Sequence, residues 1–183
     1  MKLIVIDVQK GIVEERLYNF TNFLLNNQKI IAAARENNIE VIYVQHDDGP
    51  GSGFTYGDDF FEISEFFAPK ENEKIFVKII STAFGNKDFA GYLESEGDDT
   101  LIIIGLVTNY CIDATIKSAY ERGYNIIVPA GTNSTCDNRF MNKETTYKYY
   151  NELMWPDKYA RVISVEETIK LMEQENRDSN KQE

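Results

Sequence analysis

Histidine is nearly absent: His46 stands alone among 183 residues. That scarcity excludes a zinc site built on several imidazoles and any mechanism that needs two histidines. Cysteine is scarce as well. Cys111 and Cys136 are too few for the disulfide framework of a small secreted domain, so free thiols are expected. Basic residues are outnumbered, 19 against 30 acidic ones, for a net charge of −11. Nucleic acid is therefore not an expected partner, because binding its backbone leans on clustered Lys and Arg. The acidic excess reads as a solubilising surface.

Long apolar runs are missing too. Those present, such as residues 3–6 and 101–104, have the length of strands. They fall far short of the ~18–20 residues that span a bilayer, so no membrane partner is expected. The chain opens directly on a strand and leaves no room for a signal peptide, from which a cytoplasmic location is expected.

What is present is an apolar fraction of 43%, enough for a full core without covalent staples. Residues 2–6 form an uninterrupted apolar strand of the kind covered on both faces. Leu17, Phe20, Leu24, Ile31 and Ala34 recur near a 3.6-residue period and predict a helix over 15–37. A second buried strand covers 40–45. From 46 to 74 regular structure gives way to Gly49, Pro50, Gly51, Ser52 and Gly53, then to Phe54, Tyr56, Phe60, Phe61, Phe66 and Phe67. Such an insertion suits a binding loop or lid, and equally a subunit contact.

The remaining pattern predicts strands at 75–79, 100–104, 125–128 and 160–163, with helices at 88–96, 110–122, 143–153 and 165–173. A polar, frayed tail is expected over 174–183, after a single domain spanning 1–173. Alternation of this kind predicts an α/β fold: a doubly wound, Rossmann-like parallel sheet with helices on both faces. Ligands of such sheets bind beyond the carboxyl ends of the strands, where strand order reverses. Asp7, His46, Lys78 and the segment 105–111 all follow strands, so a carboxylate, an amine and a thiol are expected at one edge.

Cys111 opens a predicted helix, where the dipole and the free N–H groups favour a thiolate, and Lys78 would add a cation. Asp7 is the candidate base. Taken singly, Asp7 reads as a cap, Lys78 as a surface lysine and Cys111 as a small apolar residue. Their placement on successive strand ends is what makes a nucleophilic site of them.

Three ordered segments carry a resemblance: 3–9 (Leu-Ile-Val-Ile-Asp-Val-Gln), 77–84 with Val77-Lys78 and Ser81-Thr82-Ala83-Phe84, and 105–112 (Gly-Leu-Val-Thr-Asn-Tyr-Cys-Ile). With them the chain resembles the isochorismatase-like cysteine hydrolases over roughly residues 2–170. The resemblance implies a triad of Asp7, Lys78 and Cys111, and a cis peptide at Leu106–Val107. It also implies an oxyanion hole from the Val107 and Cys111 N–H groups and hydrolysis of a small amide, carbamoyl or ureido C–N bond through a thioester. It implies a homo-oligomer acting on a small-molecule substrate. Adjacency to the motifs suggests Ile12, His46, Phe84 and Tyr110 as pocket residues.

Metal-bearing nicotinamidases place an Asp and several His after the second strand. Here that stretch is Gln45-His46-Asp47-Asp48-Gly49, so neither a catalytic metal nor another cofactor is expected. Pro129-Ala130-Gly131 also departs from the Asp-Ala common in such hydrolases. Two alternatives remain: a vinyl-ether hydrolase of the isochorismatase type, which typically lacks the nucleophilic cysteine, and an idle oligomeric scaffold.

Overall fold

The computed structural model describes residues 1–156 and 158–181. Five main strands, β1 (Lys2–Ile6), β2 (Glu40–His46), β3 (Lys74–Lys78), β4 (Thr100–Leu106) and β5 (Asn125–Pro129), are joined by β6 (Asn133–Ser134) and β7 (Arg161–Ile163). All pair in parallel, in the order β3-β2-β1-β4-β5-β7, with β6 beside the end of β4. Strand order thus reverses between β1 and β4, as expected of a doubly wound sheet.

Alternate side chains explain the two-faced core. From β1, Leu3 and Val5 point to one face, where α1 (Phe20–Glu36) and α5 (Val165–Ser179) contribute Phe23, Ile30, Ala34 and Met172. Ile4 and Ile6 point to the other, against Phe89 and Leu93 of α2 (Lys87–Glu96) and Ile116 and Ala119 of α3 (Asp113–Glu121). Burying each such side chain contributes about 1.5–3 kcal/mol. The short α4 (Lys143–Lys148) lies outside these layers.

Several boundaries differ from the sequence reading. The first helix begins at Phe20, not near Glu15, because Asn19 is left-handed (φ 48°) and the Tyr18 N–H bonds to Thr135 instead of a helical carbonyl. The strand expected at 75–79 sits one residue earlier, and the strand expected at 100–104 runs on to Leu106. The frayed tail is corrected: α5 continues to Ser179, held by a Ser164–Glu167 capping box at its start and by Glu175, which pairs with the Met1 amine at 2.8 Å. The last two residues of that expected tail lie outside the described ones. Two helices contain π turns, over Thr108–Ile112 and Tyr149–Met154, which the apolar period does not disclose. Among the described residues, no helix is long and apolar enough to cross a membrane.

Gly105 fixes the distance between the two central strands. Its φ is +116°, and a Cβ there would stand 2.0 Å from the Ile6 carbonyl oxygen. Only glycine permits this approach, one residue before Asp7 on one strand and just ahead of the Cys111 turn on the other.

Candidate active site

Asp7 follows β1 with φ 50°, a left-handed conformation that Asp tolerates better than most residues. Its N–H is tied to the Val44 carbonyl at 2.8 Å. Lys78 ends β3 directly opposite His46, which ends β2. The Leu106–Val107 peptide is cis. After it the chain enters the π turn, in which the Ile112 N–H reaches back to the Val107 carbonyl at 3.3 Å, and Cys111 lies in that turn ahead of α3.

Polar groups pin this turn from behind. Thr108 Oγ1 donates to Asn133 Oδ1 at 2.7 Å, and Thr135 Oγ1 donates to Asn109 Oδ1 at 2.6 Å. Asn133 and Asn151 exchange amide hydrogen bonds at 2.8 and 3.0 Å. Buried polar groups need such partners, and these tie the Cys111 turn to β6 and to the second π turn.

Lys78 is the hub. Its side chain is wholly buried, and Nζ lies 2.8 Å from Asp7 Oδ2, 3.1 Å from His46 Nδ1 and 3.3 Å from Cys111 Sγ. An ammonium has three N–H bonds and here meets three acceptors. With Lys78 donating to Nδ1, the ring's hydrogen belongs on Nε2, which lies 2.9 Å from Asp48 Oδ1. Among the described residues, Asp7 Oδ1 is buried without a hydrogen-bond partner. A carboxylate oxygen is an acceptor and can take a proton from a neighbouring group.

Burial pushes the Asp7 carboxyl above its usual 3.8, outweighing the Lys78 charge beside it. Burial, reinforced by the Asp7 charge, pushes the Cys111 thiol up to about 12 against the opposing pull of Lys78. Both causes act against the thiolate that a helix start beside a lysine was expected to favour. A group whose folded pKa is raised stabilises the fold below its unfolded pKa, and that contribution fades as pH climbs towards the folded value. Alkylation of Cys111 by iodoacetamide, followed by mass spectrometry across pH, is accordingly expected to have its midpoint above 9.0, the ordinary thiol value. A midpoint below that would contradict this electrostatic picture.

Above these groups lies a pocket of about 500 Å³ lined by Asp7, Ile12, His46, Asp48, Ser52, Gly53, Phe54, Phe60, Val107, Tyr110 and Cys111. That size accommodates a small organic molecule. The structure brings together Asp7, Lys78, Cys111, Ile12, His46, Val107 and Tyr110. Phe84 is the exception and is corrected: its ring is buried beneath the sheet's other face, edge-on to Phe89 and tilted over Tyr124. The Ala83–Gly85 turn swings it inward, under the Arg122 guanidinium at 4.6 Å.

Two contributions were not foreseen in the sequence, and a third was left open there. Asp48 borders the pocket beside His46. Phe54 and Phe60 wall it, on the aromatic loop that reads equally as a binding loop or a subunit contact. Gln9, visible only as part of an apolar motif, is fully buried. It bonds through Nε2 to the His46 and Phe61 carbonyls and through Oε1 to the His46 N–H, strapping the loop to the sheet.

Asp7, His46 and Cys111 also offer one ligand atom each within 4.8 Å of one another, a donor set that could serve a metal ion. The Lys78 ammonium, however, already touches all three. A divalent cation would have to displace a buried positive charge from its own acceptors.

Known proteins resemble this chain in sequence and fold. The isochorismatase domain family matches residues 2–167. An uncharacterized isochorismatase family protein of Bacillus subtilis, YddQ, is 34% identical over 127 residues, covering 67% of this chain and 71% of the relative. A cysteine hydrolase from Pseudomonas syringae pv. phaseolicola superposes with a TM-score of 0.86 at 25% identity, covering 94% of this chain and 92% of that one. N-carbamoylsarcosine amidase from Thermoplasma acidophilum shares the fold, with a TM-score of 0.73 at 22% identity over 90% of this chain and 97% of that one.

Proposed function

The chain belongs to the isochorismatase family, and on that premise we propose that it cleaves a small amide, carbamoyl or ureido C–N bond with Cys111 as nucleophile. The observation carrying this reading is the meeting of the Cys111 thiol and the buried Asp7 carboxylate on one lysine, Lys78 Nζ lying 2.8 Å from Asp7 Oδ2 and 3.3 Å from Cys111 Sγ.

Asp7 Oδ1 takes the thiol proton as Sγ attacks the substrate carbonyl carbon, so free thiolate need not accumulate. The carbonyl's π pair moves to oxygen. The N–H groups of Val107 and Cys111 face that charge, and Lys78 balances the negative charge shared between Asp7 and sulfur. When the tetrahedral adduct collapses, the C–N bond breaks and the Asp7 carboxyl protonates the departing nitrogen. Water then adds to the thioester carbon, giving its proton to Asp7. The C–S bond breaks and sulfur takes that proton back. A carboxyl whose pKa is raised towards neutrality suits both directions of transfer. A vinyl ether offers no carbonyl for this sulfur to attack.

Rapid quenching during turnover of a panel of small amides is the test. An acyl mass increment on the Cys111 peptide, removable by hydroxylamine, is the expected result. Ammonia release with no adduct on Cys111 under any quench would reject the covalent route. Because an ammonium fills the centre of the donor set, the rate of ammonia release is expected to change less than about twofold on adding chelator, a span within the few tenths of a kcal/mol of a peripheral effect. Loss of activity restored by zinc would show that a metal takes part.

A further inference from the structure

The pocket's charge says what kind of molecule it receives. We infer that, as the site of the hydrolase proposed above, it selects amides with an apolar body and a neutral or, better, cationic far end, and disfavours those bearing a carboxylate.

Three observations carry this. The charged side chains lining the pocket are Asp7 and Asp48, and no Lys or Arg is among its lining residues. Lys78, the nearest cation, is buried and directs its three N–H bonds to Asp7, His46 and Cys111, so none is left for a substrate anion. At the mouth, the Asp48 side chain is 57% exposed, and Phe60 and Tyr110 are 61% and 62% exposed. An acid beside two exposed aromatic rings is the usual equipment for holding an organic cation, the rings through their negative faces. A carboxylate placed there would meet like charge with no donor side chain to answer it.

The aromatic wall is a built feature. Gly11 lets Phe54 and Phe60 close over the backbone: a Cβ at that position would stand 2.7 Å from the Phe54 ring and 2.9 Å from Phe60 Cβ. The Gly11 N–H also holds the Phe60 carbonyl at 3.0 Å. Asp48 is anchored to His46 and its N–H to the Phe54 carbonyl at 3.0 Å, so acid and rings share one frame.

The test uses three matched probes, 3-phenylpropanamide and its 4-aminomethyl and 4-carboxy derivatives, with binding to the full-length Cys111→Ala chain measured by calorimetry. The aminomethyl amide is expected to bind about tenfold more tightly than the carboxy amide, with the neutral one between, as attraction and repulsion at a half-exposed acid each contribute up to about fivefold. Adding Asp48→Asn should erase most of that gap, and Asp48→Lys should reverse it. Equal or tighter binding of the carboxy amide would overturn the inference. So would a gap unchanged by Asp48→Asn, or no binding of any probe at millimolar concentration. Should the order hold while the native chain releases ammonia from none of the three, the charge preference stands and the proposed reaction falls.

Discussion

Replacing Cys111 by alanine is expected to lower ammonia release from any amide the native chain hydrolyses by at least about 10⁴-fold, the scale on which nucleophile deletions act in enzymes with cooperating catalytic groups. The fold should survive, because only one sulfur is removed from a half-buried position at the pocket floor. Binding of a non-hydrolysed analogue would then persist, which separates lost chemistry from lost structure. Asp7→Asn should be nearly as severe while keeping the shape. An amide can still accept from Lys78 but cannot take the thiol proton. Combining the two substitutions should cost little more than either alone, as for groups that act in one proton transfer. If Cys111→Ala kept even a hundredth of the native rate, attack by sulfur would have to be abandoned.

Lys78→Met is expected to have the largest effect on stability. The ammonium and the Asp7 carboxylate are both essentially inaccessible to water, with exposures of 0% and 1%. Removing one member of a buried pair leaves the other charge uncompensated, a loss of about 3–5 kcal/mol. Chemical denaturation at pH 7 should show it. The loss should shrink in acid, and the sign follows from linkage. Asp7 already takes up its proton above its usual range, and without Lys78 it would do so at still higher pH. Folding of the variant would then be favoured at low pH and penalised as pH rises through the folded value. Asp7→Asn added to Lys78→Met should recover most of the stability by removing the orphaned charge. A loss, relative to the native chain, as large at pH 4 as at pH 7 would contradict the buried-pair description.

The fold and the central groups could be read from the sequence because both depend on where apolar runs stop. Residues 2–6 end at Asp7 and the 100–106 strand ends before the Cys111 turn, and the parallel topology then forces their ends together. What could not be read depends on side-chain direction and burial. Phe84 stands in a recognisable motif, yet a single 3₁₀ turn sends its ring into the core. The thiol's neighbours, a lysine and a helix start, suggested a lowered pKa. Their effect is opposed by loss of solvent, which a linear sequence does not record, and by the charge of the Asp7 carboxylate that the sequence had placed beside them. The two-residue β6 is too short to leave a period, although its Asn133 and Ser134 buttress the Cys111 turn.

Gly105 bears on how this chain can diversify. Rings and acids around the pocket mouth sit on a loop and can be exchanged without disturbing the sheet, so ligand preference is free to drift. The missing methyl at Gly105 is different: any side chain there would meet the Ile6 carbonyl and wedge the two middle strands apart. Asp7 and Cys111 follow those strands, so their separation would widen with the same movement. Loop changes alone can therefore reshape the pocket, whereas the interval between that carboxylate and that sulfur is written into the backbone.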